Sequence, residues 1–450
     1  MRSTRALAGR TRDWLTVSAL VAIAAAFRLV GLGRTKGLIF DEVYYVKDAH
    51  SLLLHGVELT ATGGAEFVVH PPVGKWMIAL GIKAFGYNEF GWRVSAAVIG
   101  SIMVGMIFFV AQRLFASYFL SLTASLFMIF DGLQLVHSRV ALLDIFLSFF
   151  LLLTLLFILQ SRYWLAGISL GLAAGVKWTG FYYFLAIFGF VLYADYRRRK
   201  ALEEEAQFVR TLKLDLWRRG VQFILVPLAT YLLSWTGWFL NSNGWDRHWA
   251  DREGGLFSFI PAPIRSLIHY HQEILNFHKG LSTPHPYMSN PWSWLIMGRP
   301  TSFAYSTPTG CGASNCSSEI LGLGTPFLWW AITFAVAVAF GYWIARREWQ
   351  SGLLLLMMGA GYLPWFLFQK RTMFNFYAIA FEPFAILILI YVIAKFLENE
   401  HDWRRSSRFY GVISLIIVIA LCFFYFLPLF VGQTLTYNDW LARMWFSSWI

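Results

Sequence analysis

Apolar residues fall along this chain in long runs, near 14–33, 92–111, 118–136, 140–160, 163–177, 178–195, 221–240, 324–345, 350–368, 373–394 and 409–430. Roughly 17–25 such residues wound as a helix cross a bilayer, so the pattern predicts an all-α integral membrane bundle of about eleven transmembrane helices. Lys177-Trp178 divides one long run into the fifth and sixth helices. Two long polar stretches, about 34–91 and 241–323, interrupt the series and divide the chain into an N-terminal module (1–240), a second loop (241–323) and a C-terminal part (324–450). The first run has the basic start of a signal peptide. Its length, its internal Arg28 and the lack of a small-residue cleavage site make it a retained signal-anchor helix. There is no internal repeat at a period of 20–50 residues and no low-complexity tract.

Composition agrees. Of the 450 residues 58% are hydrophobic and 14% charged, well below the roughly 25% charged residues of soluble domains. The 21 tryptophans suit membrane interfaces. A net charge of +12 would fit nucleic-acid binding, but the basic residues sit in short segments between apolar runs, which is the mark of topogenic charge.

Eleven crossings put the termini on opposite faces, and the positive-inside rule chooses between them. With the N-terminus inside, the inner segments hold Arg2, Arg5, Arg10, Arg12, Arg113, Arg162, Arg197-Arg198-Arg199-Lys200, Arg210, Lys213, Arg218-Arg219, Arg346-Arg347, Lys395, Arg404, Arg405 and Arg408. Both long loops then lie outside and are sparse in Lys and Arg. The inner 195–220 segment, with Glu203-Glu204-Glu205 beside its basic residues, is most simply a solvated amphipathic connection. Cys422 lies in an apolar run, while Cys311 and Cys316 lie in the second outer loop, where a local disulfide is plausible chemistry and zinc would lack two ligands.

This topology gathers the remaining charges on one face. Arg28 falls in the outer half of the first helix, and Asp41, Glu42, His70 and Lys75 in the first outer loop. Arg93 opens the second helix; Asp131, His137, Arg139 and Asp144 surround one outer turn; Lys177 and Lys370-Arg371 sit at two others. Ionisable groups at the membrane are costly and mark function by default. Plainer roles compete: Arg28 snorkelling, Arg93 anchoring at the interface, Asp144 pairing with Arg139, Asp131 capping a helix, and His70 shaping a turn before two prolines. Cations at headgroup level stabilise a phosphate leaving group, and a carboxylate accepts the proton of an attacking hydroxyl. The cluster therefore suits transfer from a lipid phosphate by a single inverting displacement. It leaves the sugar open. A transferase of another sugar or acceptor, and a transporter of a lipid-linked substrate, are the alternatives.

Phe40-Asp41-Glu42, His70-Pro71-Pro72-Val73-Gly74-Lys75, Gly91-Trp92-Arg93, Asp131-Gly132, Ser138-Arg139-Val140-Ala141-Leu142-Leu143-Asp144 and Gly175-Val176-Lys177-Trp178 occur in order. With His285-Pro286-Tyr287, Asn290-Pro291-Trp292-Ser293-Trp294 and Arg299-Pro300, they resemble the protein O-mannosyltransferases over most of the chain. The resemblance implies a GT-C glycosyltransferase fold with a catalytic first outer loop. It also implies a β-linked polyprenyl or dolichyl phosphate mannose donor, Ser or Thr acceptors on exported polypeptides, α-linked products and no required metal or other cofactor. Residue by residue, it makes Asp41 the base and Glu42 its support, and puts Arg28, Arg93, Lys177 and Arg139 on the lipid phosphate, with His70, Lys75, Asp131 and Asp144 around the site. The 241–323 loop is too short for the β-trefoil MIR domain of eukaryotic members. This chain therefore resembles the bacterial branch, in the plasma membrane, with an extracytoplasmic site and acceptors that emerge from the secretion machinery. Gln369 to Tyr377 follows the family's late His- and Tyr-rich segment only loosely.

Overall fold

The computed structural model describes residues 2–253, 258–398 and 406–450, with side chains from residue 11 onward. Arg404, Arg405 and the side chains of Arg2, Arg5 and Arg10 lie outside the described set. The first half runs α1 (Arg2–Leu29), α2 (Glu42–His55), α3 (Val73–Phe85), α4 (Glu89–Phe115), α5 (Tyr118–Ile129), α6 (Gly132–His137), α7 (Asp144–Leu159), α8 (Tyr163–Val176) and α9 (Thr179–Ala201). Then come α10 (Gln207–Arg210), α11 (Leu216–Gly220), α12 (Val226–Ser234), α13 (Thr236–Leu240), α14 (Trp249–Arg252) and α15 (Ala262–Gly280). The last part holds α16 (Pro326–Arg346), α17 (Trp349–Tyr362), α18 (Glu382–Leu397), α19 (Ser407–Phe430) and α20 (Tyr437–Leu441).

Local chemistry sets the helix ends that shape the bundle. Asn88 opens α4 by accepting from the Phe90 and Gly91 N–H groups at 3.1 and 3.0 Å, meeting donors that have no partner within the helix. Ala116 closes α4 in the left-handed region at φ 51°, and the next residue, Ser117, caps α5. Two helices thus turn back on each other within two residues. Apolar on every side, α4 packs against α1, α3, α5, α7 and α18 at the centre of one continuous hydrophobic core. That core runs through all three expected parts of the chain, so none of them has a core of its own.

Every expected apolar run falls on helix, but the runs are not equally long. Among the described residues, Glu89–Phe115, Pro326–Arg346, Trp349–Leu367 and Ser407–Phe430 have both the length and the apolarity to cross a bilayer. At 1.5 Å per residue, α5 and α8 reach only about 18 and 21 Å, against a hydrocarbon core of about 30 Å. One run therefore does not equal one crossing.

Two expectations are corrected. The chain is not wholly helical: β1 (Thr301–Ser306), β2 (Cys316–Gly322) and β3 (Thr434–Thr436) form an antiparallel sheet in that order, with an irregularity between Ser302 and Ala304. Cys311 and Cys316 are joined by a disulfide in the β1–β2 connection. β3 comes from the C-terminal tail, more than a hundred residues from β2, so no local pattern announces the third strand. The tail is held further by Arg299 Nη1, which donates to the Ser448 and Ile450 carbonyls.

The 195–220 segment is not a solvated connection either. It is largely helical, and its polarity is inverted. Asp195 and Arg199, on α9, pair with Arg219 and Asp215, and all four are buried. Phe208, Leu212, Leu216 and Trp217 face outward beside Arg210, Lys213 and Arg218. Buried charges are retained when paired. An outward apolar face with basic residues suits a membrane interface better than water.

Candidate active site

The adjacent acids point in different directions. Glu42, the first residue of α2, is 0% exposed. Its carboxylate accepts from Arg93 Nε at 2.8 Å and Nη2 at 2.7 Å, from the Ala141 N–H at 2.8 Å and from the Ile39 N–H at 3.1 Å. Nothing on it is left for substrate. Asp41 is half-buried and accepts only from the Tyr45 hydroxyl, at 3.3 Å. Burial pushes its carboxyl up to about 6; Lys177 pulls it down and Asp144 raises it further. The backbone aims it: Phe40 takes a left-handed conformation at φ 48°, uncommon for a bulky residue. Its ring is gripped edge-on by His285, Phe303, Phe374 and Phe376, at centroid distances of 5.1–6.1 Å.

Most of the expected cations are already committed to protein acceptors. Arg93 gives its remaining N–H groups to the carbonyls of Thr35 at 2.7 Å and Gly37 at 3.0 Å. Arg28 is fully buried and donates to Ala24 O, Ser138 Oγ and Gln134 Oε1. Arg139 binds the carbonyls of Phe27, Arg28, Val30 and Gly31 at 2.8–3.0 Å. It closes the C-terminal end of α1, where free carbonyls favour a cation, and it does not pair with Asp144. Lys75 is buried on Glu58 and lies 3.8 Å from Asp48. Asp131 caps α6 and also accepts from the Thr325 N–H and Trp329 Nε1. Arg28, Arg93 and Arg139, expected on a lipid phosphate, are thus turned inward to hold the frame.

Lys177 lies differently. It ends α8 and donates to both oxygens of Asp144, at 2.9 and 2.8 Å, with its ammonium 5.1 Å from the Tyr377 ring centre. Both residues line an open cavity of about 120 Å³ with His70, Trp178, His278, Lys279, Arg371 and Tyr377. His70 packs on Tyr45 and His278. Burial, then the nearby Lys177, His278, Lys75 and Arg371, hold its imidazole well below the usual range, so it is neutral.

Of the expected residues, His70, Asp144 and Lys177 line this cavity, Asp41 is close enough to feel the charges of Lys177 and Asp144, and the others are buried in the surrounding frame. Sequence reasoning missed Tyr45, Trp178, His278 and Tyr377 as site residues, and it left Arg371 without a role. Arg371 is half-buried on the cavity, its guanidinium over Trp365, and its buried Nε–H has no partner. Among the described residues it makes no ion pair with a carboxylate. Its place beside Lys370 at an outer turn was the available signal. His278 had none, because it is one of three histidines in an amphipathic helix and nothing in the sequence sets it apart from the other two.

The chain is similar to known proteins over nearly its whole length. Residues 69–214 match the family model for dolichyl-phosphate-mannose-protein mannosyltransferase, and residues 263–449 the model for the C-terminal four-span region of protein-O-mannosyltransferase. The chain is 31% identical over 484 residues to the polyprenol-phosphate-mannose–protein mannosyltransferase of Mycobacterium tuberculosis, covering 98% of this chain and 92% of that protein. It is 32% identical to the Mycolicibacterium smegmatis protein of the same description, over 98% and 93%. The fold is similar to the Saccharomyces cerevisiae protein O-mannosyltransferase Pmt1–Pmt2 complex bound to the sugar donor, with a TM-score of 0.80 at 15% identity over 98% of this chain and 93% of that one. It is also similar to ArnT from Cupriavidus metallidurans bound to undecaprenyl phosphate, with a TM-score of 0.54 at 15% identity over 95% and 72%.

Proposed function

The chain belongs to the protein O-mannosyltransferases, in their bacterial polyprenol-phosphate-mannose branch with a GT-C fold, and from that membership we propose how its own residues carry the reaction. The protein is a multi-pass membrane enzyme that moves mannose from a polyprenyl phosphate to protein. Asp41 is the base. It takes the proton of a Ser or Thr hydroxyl as that oxygen forms a bond to C1 of mannose, while the C1–O bond to phosphate breaks and polyprenyl phosphate leaves with the electron pair. One displacement on a β-linked donor gives the α-linked product.

Lys177 and Arg371 receive the phosphate, the first already balanced by Asp144 and the second with an N–H to spare. Glu42 and Arg93 are positioning residues: their bidentate pair ties the loop after α1 to the start of α2 and so sets where Asp41 stands. The N-terminus is cytoplasmic and the site extracytoplasmic, where exported acceptors arrive. Helical segments of unequal length, the shorter ones shielded by their neighbours, make up the membrane bundle.

The observation that carries this reading is the contrast within one dipeptide, Glu42 saturated and Asp41 free beside a cationic cavity. Purified Asp41→Asn enzyme, given labelled polyprenyl-phosphate mannose and a Ser/Thr peptide, should bind the lipid and transfer no sugar. Transfer at the wild-type rate would remove Asp41 as the base. Transfer from the wild-type enzyme to water or lipid, with the peptide left unlabelled, would overturn the acceptor.

A further inference from the structure

His278 lies in the last turn of α15, at the place where the three outer segments meet. Its Nε2 is 3.1 Å from the carbonyl oxygen of Val69, beside His70 in the first loop. Its Nδ1 is 3.3 Å from Arg371 Nη2, in the turn between α17 and α18. A carbonyl can only accept and a guanidinium N–H can only donate. The two partners therefore fix the tautomer: Nε2 carries the hydrogen and Nδ1 offers its lone pair to Arg371. A protonated imidazole would turn an N–H toward a cation. Burial, with Arg371 and Lys177 nearby, holds this imidazole down to about 4, so the neutral form persists at physiological pH.

The Arg371 backbone is fastened to the same region. The N–H of Thr372 donates to Leu281 O at 3.0 Å, Thr372 Oγ1 to Thr283 O, and the Ser289 N–H to Met373 O at 2.8 Å. These bonds hold the chain immediately after Arg371 but leave its long side chain free to rotate. Trp365 provides one wall, with the guanidinium carbon 5.6 Å from the ring centre. Among the described residues, His278 is the hydrogen-bond partner of that guanidinium, and a buried Nε–H remains unpartnered.

We propose that His278 is a positioning residue for donor binding: the imidazole, bridged between the Val69 carbonyl and Arg371, holds the guanidinium so that its unused N–H meets the phosphate of the lipid-linked sugar. This rests on the reading that Arg371 takes that phosphate. The bridge also makes the site depend on the first loop, because any shift of His70 and Val69 displaces Arg371. Loop packing and phosphate affinity are thereby coupled through one side chain.

Steady-state kinetics of the full-length enzyme with radiolabelled polyprenyl-phosphate mannose and a Ser/Thr peptide test the idea. Losing one charge-assisted contact and its alignment should raise the donor KM of His278→Ala about tenfold, with kcat and the peptide KM within about twofold. His278→Gln, whose amide can donate to Val69 and accept from Arg371, should recover most of the donor affinity. The double variant with Arg371→Ala should be no worse than Arg371→Ala alone, because both changes remove the same contact. An unchanged donor KM in His278→Ala, alongside a large rise in Arg371→Ala, would sink the role of His278 and leave Arg371 standing. An unchanged donor KM in Arg371→Ala would sink the phosphate assignment itself. If kcat and both KM values worsen together, with no recovery in His278→Gln and a lower thermal midpoint in each, His278 merely holds the fold.

Discussion

Replacing Asp41 and Glu42 one at a time by their amides should produce two different defects. Glu42 accepts four hydrogen bonds, two of them from Arg93, in a site without solvent. In Glu42→Gln, one oxygen becomes an NH₂ group that must face an N–H of Arg93 or of the backbone, and the Arg93 cation loses its counter-charge. Breaking a buried pair by removing one partner costs about 3–5 kcal/mol, which is a large part of the stability of any single domain. Asp41 accepts one long bond from Tyr45, and a neutral hydrogen bond contributes about 0.5–1.5 kcal/mol. Asp41→Asn also removes a carboxylate that burial disfavours, so its stability should stay within about 1 kcal/mol of wild type. Its turnover should nonetheless fall by about 10²–10⁴-fold, the usual contribution of a positioned base. Thermal unfolding of both variants in detergent, followed by intrinsic tryptophan fluorescence, together with transfer rates on the surviving folded fraction, separates the cases. If Asp41→Asn unfolds as readily as Glu42→Gln, or if Glu42→Gln is as stable as wild type, the division between the two acids is wrong.

Three further outcomes are expected. Asp41 must be ionised to accept a proton, and its carboxyl titrates near 6, so kcat/KM should rise with pH through about 6 rather than through the usual range near 4. Lys177→Met should move that limb upward, because Lys177 favours the ionised form; a profile flat from pH 5 to 8 would contradict this. Gly100→Ala places a methyl 2.0 Å from Ser138 Oγ, beside Arg28, and should cost about 1–3 kcal/mol. Gly189→Ala, which meets nothing within 4 Å, serves as the control in the same melting experiment. Cys316→Ser opens a loop with a sequence separation of five residues, worth about 2 kcal/mol of closure. Limited proteolysis between residues 301 and 322 should speed up, and unchanged cleavage would show that strand pairing alone holds the hairpin.

Much of the site's location was legible in the chain, because membrane insertion makes charge expensive and one-sided. Asp41, His70, Asp144 and Lys177 all lie beside the ends of apolar runs, and they do meet. Their division of labour was not legible. A buried arginine with every donor satisfied and a cavity arginine with one donor free look the same in sequence. Nothing in the sequence therefore distinguishes Arg93 from Arg371; the positions of the Thr35 and Gly37 carbonyls do. The sequence offers Arg139, five residues away, as a partner for Asp144, whereas its partner in the structure, Lys177, ends the next helix, α8.

Hydrophobic run length and charge asymmetry, both local properties, determined that this is a helical membrane protein with its chemistry at one edge, and the ordered motifs determined its family. Tertiary structure alone decided which carboxylate is free, which cations are spent, that the C-terminal tail supplies a strand and that one histidine of α15 joins the first loop to the α17–α18 turn. Those outcomes depend on hydrogen-bond partners brought together across as many as 209 residues, as between Val69 and His278. No spacing in the chain encodes such a meeting. It appears only when burial forces each polar group to find its complement.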